Sequence, residues 1–258
     1  MQQTLIHGVV LAALAALVIA VLTRYAPFYA PSYLFWAGVI LMVAGLASLV
    51  HPLRFLLIRT RRVATIAVLA GAAVSVCALF CPFRLVHADQ RSALDRLMPD
   101  YHFREVHSVR VQASPALALR AMDEVTLEDL RVYRILMGAR QLAVGRVPHF
   151  TGMERPLMAT LTSGPFPQLA EEPGREVVLG GPVEFPGGKV MAVINVRAED
   201  AGGGWTRLST ETRILGPNEV DARSFAHYWR MIYPGSAIIR QMWLNAAVSR
   251  IGRATRRR

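Results

Sequence analysis

The first residues in this 258-residue chain that could do chemistry are threonines at alternate positions of a short apolar run. In the stretch from Thr206 to Ile214, Leu208, Thr210, Thr212 and Ile214 share one face of an extended strand with Thr206, while Arg207, Ser209, Glu211 and Arg213 share the other. A hydroxyl carried into a core must find a hydrogen bond. It finds one on neighbouring backbone or across the sheet, or it serves as a polar fixture in an apolar pocket, the usual make-up of a ligand site. The spacing leaves both readings open.

The other reactive residue types are scattered. His102 and His107 are five apart on an extended stretch, so they point to opposite faces and do not pair as ligands, and His149 and His227 stand alone. Cys77 and Cys81 are four apart in an apolar segment; they read as small helix residues, without the Cys-x-x-Cys spacing of a redox motif. There is no Walker loop, no Gly-x-Ser-x-Gly elbow and no His-Glu-x-x-His helix. Gly202, Gly203 and Gly204 have no helix start behind them and read as a turn. No catalytic residue, metal site or cofactor is expected.

The threonines belong to a β-hairpin that feeds a long helix. Val190 to Arg197 alternates as a strand, Asp200 to Gly204 turns, and Trp205 to Leu215 alternates again. From about Asn218 a helical pattern carries Phe225, Tyr228, Trp229 and Ile232 and continues past Pro234 and Gly235 through Ile238, Ile239 and Met242. A sheet with one apolar face, followed by an amphipathic helix, predicts that the helix lies across that face. The candidate ligand-binding residues are therefore Ile194, Leu208, Thr210, Thr212, Tyr228, Trp229 and Ile232.

The segments Ala170–Gly180, Gly204–Arg213 and Tyr228–Ser236 resemble the SRPBCC superfamily, which includes START-like lipid-binding domains and polyketide cyclase-like proteins. The likeness covers roughly residues 100–253. It implies an α+β helix-grip fold, a curved antiparallel sheet around a long C-terminal helix with an apolar cavity between them. It carries no catalytic residue over, because this fold hosts unrelated chemistries and many binders.

The first third of the chain has a different composition. No Asp or Glu occurs before Arg84, and Arg24, Arg54, Arg59, Arg61 and Arg62 are the basic residues there. The remainder holds all 18 acidic residues and 24 of the 29 basic ones. Three apolar runs, near 5–22, 33–50 and 63–81, are each long enough to span ~30 Å of hydrocarbon and are expected as transmembrane helices. The expected organisation is a membrane region over 1–83, a linker over 84–99, and a helix-grip domain with a basic tail over 100–258. Heavy use of Arg, Ala and Gly suggests a GC-rich bacterial genome, and with the apolar runs the expected location is a bacterial cytoplasmic membrane. Arg54, Arg59, Arg61 and Arg62 balance Arg24, Arg84, Arg91 and Arg96, so the arginine count selects no side for the domain.

Within the domain, Ser114 and Pro115 start a helix to about Met122, and Thr126 with Asp129 starts a second to about Met137. Leu157 to Thr162 reads as a strand or an apolar loop, and Arg175–Gly180 and Val183–Phe185 as two short strands. No nucleic-acid motif accompanies the positive charge, and membrane lipid is the expected partner of the basic residues. The favoured function is non-enzymatic binding of a hydrophobic small molecule or lipid beside the membrane. A cavity enzyme needs an acid or base at the reacting atom, and the inward faces inferred above hold hydroxyls but no carboxylate or histidine. A cyclase-like enzyme and an interaction module without ligand are the alternatives.

Overall fold

The structure, a computed structural model, describes residues 29–256 except 53–55, 57, 131, 144 and 165. It divides into two compact units. One comprises the described residues up to Pro82 together with Ala226–Pro234; the other comprises Phe83–Phe225 and the chain from Gly235 onward.

In the first unit, helices α1 (Ala30–Val50) and α2 (Arg61–Leu79) lie against each other. Pro31 begins the first, and the Thr60 hydroxyl caps the second by accepting from the Val63 N–H at 3.3 Å. Small residues bring the two backbones together. A methyl group at Gly71 would sit 2.6 Å from the Gly38 carbonyl oxygen, so neither helix tolerates a side chain at the crossing. Ile40, Val43, Ile66, Leu69 and Val76 point away from the crossing and are exposed. Both helices are long and apolar enough to cross a membrane, judged by length and composition. The expected first span, 5–22, lies outside the described residues.

The second unit is α+β. Five of its strands are β3 (Phe103–Val111), β4 (Gln168–Glu172), β5 (Glu176–Phe185), β6 (Gly188–Asp200) and β7 (Thr206–Leu215). They form one antiparallel sheet in the order β3-β7-β6-β5-β4. The β6–β7 turn contains Gly202, Gly203 and Gly204 at φ of 78°, 62° and 77°, a left-handed run that side chains oppose. The predicted break between two short strands is absent. β5 runs straight through Pro182, because β4 pairs with β5 only from Glu176 to Leu179 and leaves that stretch on the sheet edge.

Between β3 and β4 lie α4 (Pro115–Asp123), a single 3-10 turn at Leu127–Asp129, α5 (Tyr133–Ala143) and α6 (Leu157–Thr162), α3 having been passed earlier in the chain at Ala93–Leu97. Ser114 caps α4, accepting from Leu117 N–H at 3.4 Å. The Thr126–Asp129 capping pair forms, with Asp129 Oδ2 accepting from Thr126 N–H at 3.0 Å, but it opens only the 3-10 turn and the helix restarts at Tyr133. Leu157–Thr162 is helical, correcting the strand-or-loop reading; Pro156 at its start and Thr160 and Thr162 bonding back to carbonyls suit a short helix.

Residues 84–99, read as a linker, carry structure. β1 (Val86–His87) pairs with β2 (Asp100–Tyr101), and α3 sits between them with the Ser92 hydroxyl as its cap. Ala93, Leu94, Met98 and Tyr101 pack with Val178 and Val193 on one face of the sheet. The chain ends in α7 (Glu219–Arg256), 38 residues long with Pro234 inside it. On the opposite face, Leu179, Val196, Ala198 and Leu208 share a buried cluster with Trp243, Leu244, Ala247 and Ile251 of α7 and Ala118, Ala121 and Met122 of α4. Trp243 Nε1 donates to the Met122 carbonyl at 3.2 Å, tying the long helix to α4.

Candidate functional site

The face shared with the C-terminal part of α7 is the inner face, and strand register decides what lies on it. Phe103, Glu105, His107, Val109 and Val111 of β3 stand opposite Ile214, Thr212, Thr210, Leu208 and Thr206 of β7. On the other side of β7, Ala192, Ile194, Val196 and Ala198 of β6 stand opposite Ile214, Thr212, Thr210 and Leu208. All four of Ile194, Leu208, Thr210 and Thr212 are buried on this face, as the alternation predicts.

The inner face is banded. At one end Phe103 and Phe185 both contact Phe225, at ring-centroid distances of 5.5 and 5.1 Å. At the other lies the aliphatic cluster around Leu208 and Trp243. A polar belt crosses between them, and its members are Glu105, His107, Thr210, Thr212 and, from α7, Ser236. Glu105 and His107 are buried, which corrects the expectation that this face holds no carboxylate or histidine. His107 Nε2 and Glu105 Oε1 share a hydrogen bond of 2.8 Å, and the Ser236 hydroxyl donates to Glu105 Oε2 at 2.7 Å. One turn along α7, Arg240 has its pKa lowered by burial, with the Glu105 carboxylate acting in the opposite direction; its guanidinium lies 5.7 Å from the Trp243 ring centre.

The hydroxyls differ among themselves. Thr206 donates to the Ala113 carbonyl at 2.6 Å and is satisfied. The Thr210 and Thr212 hydroxyl oxygens are buried and have no hydrogen-bond partner among the described residues. Both sit in register with the acidic pair, Thr210 opposite His107 and Thr212 opposite Glu105.

The remaining predicted residues fall elsewhere. Tyr228, Trp229 and Ile232 belong to the stretch of α7 grouped with the first unit, where the Trp229 ring stacks edge-on to Tyr233 at 5.6 Å. In that same unit the buried Arg230 donates to the carbonyls of Leu79 and Cys81 beyond the end of α2, and the Ser32 hydroxyl donates to the Arg230 carbonyl at 2.7 Å. An open recess of about 430 Å³ lies where β5 begins and β6 ends, lined by Pro115, Gly174, Arg175, Ala198, Glu199 and Asp200, and none of the predicted residues borders it. Among the described residues no group of three or more His, Cys, Asp or Glu could hold a metal ion.

Sequence reasoning overlooked Glu105, His107 and Ser236. The signal for the first two was the alternation of β3, which places them on the same face as Phe103 and Val111. Ser236 follows Pro234 and Gly235, where a helix is expected to weaken, and only the unbroken course of α7 delivers it to Glu105.

No family model matches the chain, and no curated protein matches it either. Among solved structures, the crystal structure of CalU16 from Micromonospora echinospora matches at 11% identity over 66% of this chain and 98% of that one, with a TM-score of 0.23. That score is too low to assign a fold.

Proposed function

We propose that this chain is a membrane-tethered, non-enzymatic binder of an apolar small molecule or lipid, held at the inner face of the sheet with its own hydrogen-bonding group against Thr210 and Thr212. The observation that carries this reading is the pair of buried hydroxyls without partners. Leaving such a group unsatisfied costs about 1–3 kcal/mol, and two side by side favour a polar visitor. Apolar walls on both sides of the belt suit a molecule that is otherwise hydrocarbon. The resemblance to the SRPBCC superfamily supports a helix-grip arrangement, and α1 and α2 supply the tether to a bacterial cytoplasmic membrane, with membrane lipid as a partner.

A second reading, a cyclase-like enzyme working on the same ligand, is favoured by Glu105 and His107, since a carboxylate beside an imidazole can move a proton. Against it, both oxygens of Glu105 are already taken, by His107 and by Ser236. The binder reading therefore ranks first.

Native mass spectrometry of detergent-purified protein is the direct test. The wild type should carry a small molecule, and Thr210→Phe should lose it while keeping its melting temperature. A wild type that retains no extracted lipid, together with a Thr210→Phe variant destabilised by the ~1–3 kcal/mol of ordinary overpacking, would leave only a filled core without ligand. Recovery of a chemically altered molecule after incubation would favour the enzyme. Carbonate extraction tests the tether: release of the intact chain into the soluble fraction would sink it.

A further inference from the structure

From Leu130 to Met153 the chain has no carboxylate, while Arg131, Arg134, Arg140 and Arg146 all fall within it. This stretch contains α5, which uses one side to hold itself to the second unit. Gly138 is buried there, and Tyr133 and Phe150 pack against the aliphatic core. The other side of α5 is apolar and uncovered. Ile135, Ala139 and Leu142, spaced four and three residues apart, form a single exposed stripe, with Ile135 71% and Leu142 64% accessible. Val147, just beyond the helix, is 86% accessible.

Single exposed apolar residues need no explanation, but an aligned row on a helix whose only charged residues are cations does. Helical geometry puts Arg134 and Arg140 to either side of the row. Arginine stems lie comfortably on hydrocarbon while their guanidinium groups seek phosphate. A helix with an apolar stripe, arginine flanks and no acidic residue fits the boundary of an anionic bilayer. Nucleic acid would satisfy the arginines and leave Ile135, Leu142 and Val147 in water.

We propose that α5 and the loop through Val147 dock on an anionic lipid surface, Ile135, Leu142 and Val147 entering the acyl boundary while Arg134 and Arg146 meet lipid phosphates. This rests on the tether reading above, which places a bilayer within reach.

The test uses the full chain with Cys77→Ala and Cys81→Ala, spin-labelled at Ala139→Cys on the stripe or at Ala201→Cys in the β6–β7 turn, in lipid nanodiscs. With phosphatidylglycerol mixed into phosphatidylcholine, the label at 139 should lose several-fold of its collisions with a water-soluble nickel chelate and gain collisions with oxygen. The label at 201 should stay open to nickel. Phosphatidylcholine alone, or Ile135→Ser with Leu142→Ser, should return the label at 139 to water. Equal nickel access at both sites in the anionic nanodiscs overturns the docking surface and leaves the tether intact. Shielding at 139 that is already complete in detergent overturns it in favour of a second protein chain. A chain that stays soluble without detergent defeats the tether reading instead.

Discussion

Arg213 on the outer face of the sheet is as deeply buried as Thr210 on the inner one, yet the two are treated in opposite ways. Each nitrogen of the Arg213 guanidinium has a partner: Asp95, Glu211 at 2.7 Å, and the Met98 carbonyl at 2.8 Å. Its Cζ lies 4.7 Å from the centre of the Tyr101 ring. Nearby, Glu176 accepts from the Ala93 N–H at 3.0 Å and from Asn195 at 2.6 Å. Asn195 in turn accepts from the Glu211 N–H at 2.8 Å. The partners come largely from residues 84–101, which close over the outer face. Farther along, Arg197 Nε lacks a partner among the described residues, though its Nη2 meets Glu199 at 2.8 Å. The lesson is one of magnitude. An unpaired buried charge costs several kcal/mol and must be locked at once, whereas a bare hydroxyl costs little enough for the fold to carry two of them.

The largest effect that would break this contrast is on the outer face. Arg213→Met leaves Asp95 buried without its cation, while Glu211 keeps Arg104 at 2.7 Å, and should cost about 3–5 kcal/mol, read from chemical unfolding in detergent. A cost below ~1 kcal/mol would mean that water already serves the Asp95 carboxylate. On the inner face the sign reverses. Thr210→Val and Thr212→Val remove hydroxyls that bond to nothing, so each should stabilise the ligand-free protein by about 1 kcal/mol while weakening ligand retention. A loss of stability instead would show that the two faces are alike.

The smallest effect is a pH dependence. Burial pushes the Asp95 carboxyl up, but hydrogen bonds from Ser92, Arg213 and the Arg91 N–H outweigh it, and its pKa lies below the ordinary 3.8. Between the folded and unfolded values the unfolded chain binds more protons, so stability rises with pH there. The Asp95 contribution is full above 3.8 and is lost as pH falls through the lowered folded value. Melting temperatures measured from pH 6 down to about pH 2 should show this slope, and Asp95→Asn should flatten it.

Much of the second unit was legible where local chemistry and position agree. Gly202 to Gly204 announced the turn, Ser114 the cap of α4, and the alternation of β7 the inward threonines. The reading failed where a partner distant in sequence decides the outcome. Arg207, Ser209, Glu211 and Arg213 look like a solvated face, and only the return of residues 84–101 over it makes Arg213 a core residue. Pro182 looks like a strand end because nothing local reveals that β4 stops short of it. On α7 it is Ser236 and Arg240 that meet Glu105, one by a hydrogen bond and the other through its charge, while Tyr228, Trp229 and Ile232 are grouped with the first unit. Amphipathic periodicity shows that α7 has an inward side without showing which turn meets Glu105.

The unbroken course of α7 sets an order of events during synthesis. At 1.5 Å per residue its 38 residues reach about 57 Å, and Ala226–Pro234 complete the unit that α1 and α2 begin. Arg230, which caps the carbonyls of Leu79 and Cys81, is translated about 150 residues after them. The hairpin of α1 and α2 must therefore pass through most of translation with that end uncapped. A ribosome that stops before Arg230 releases a chain that lacks part of each unit.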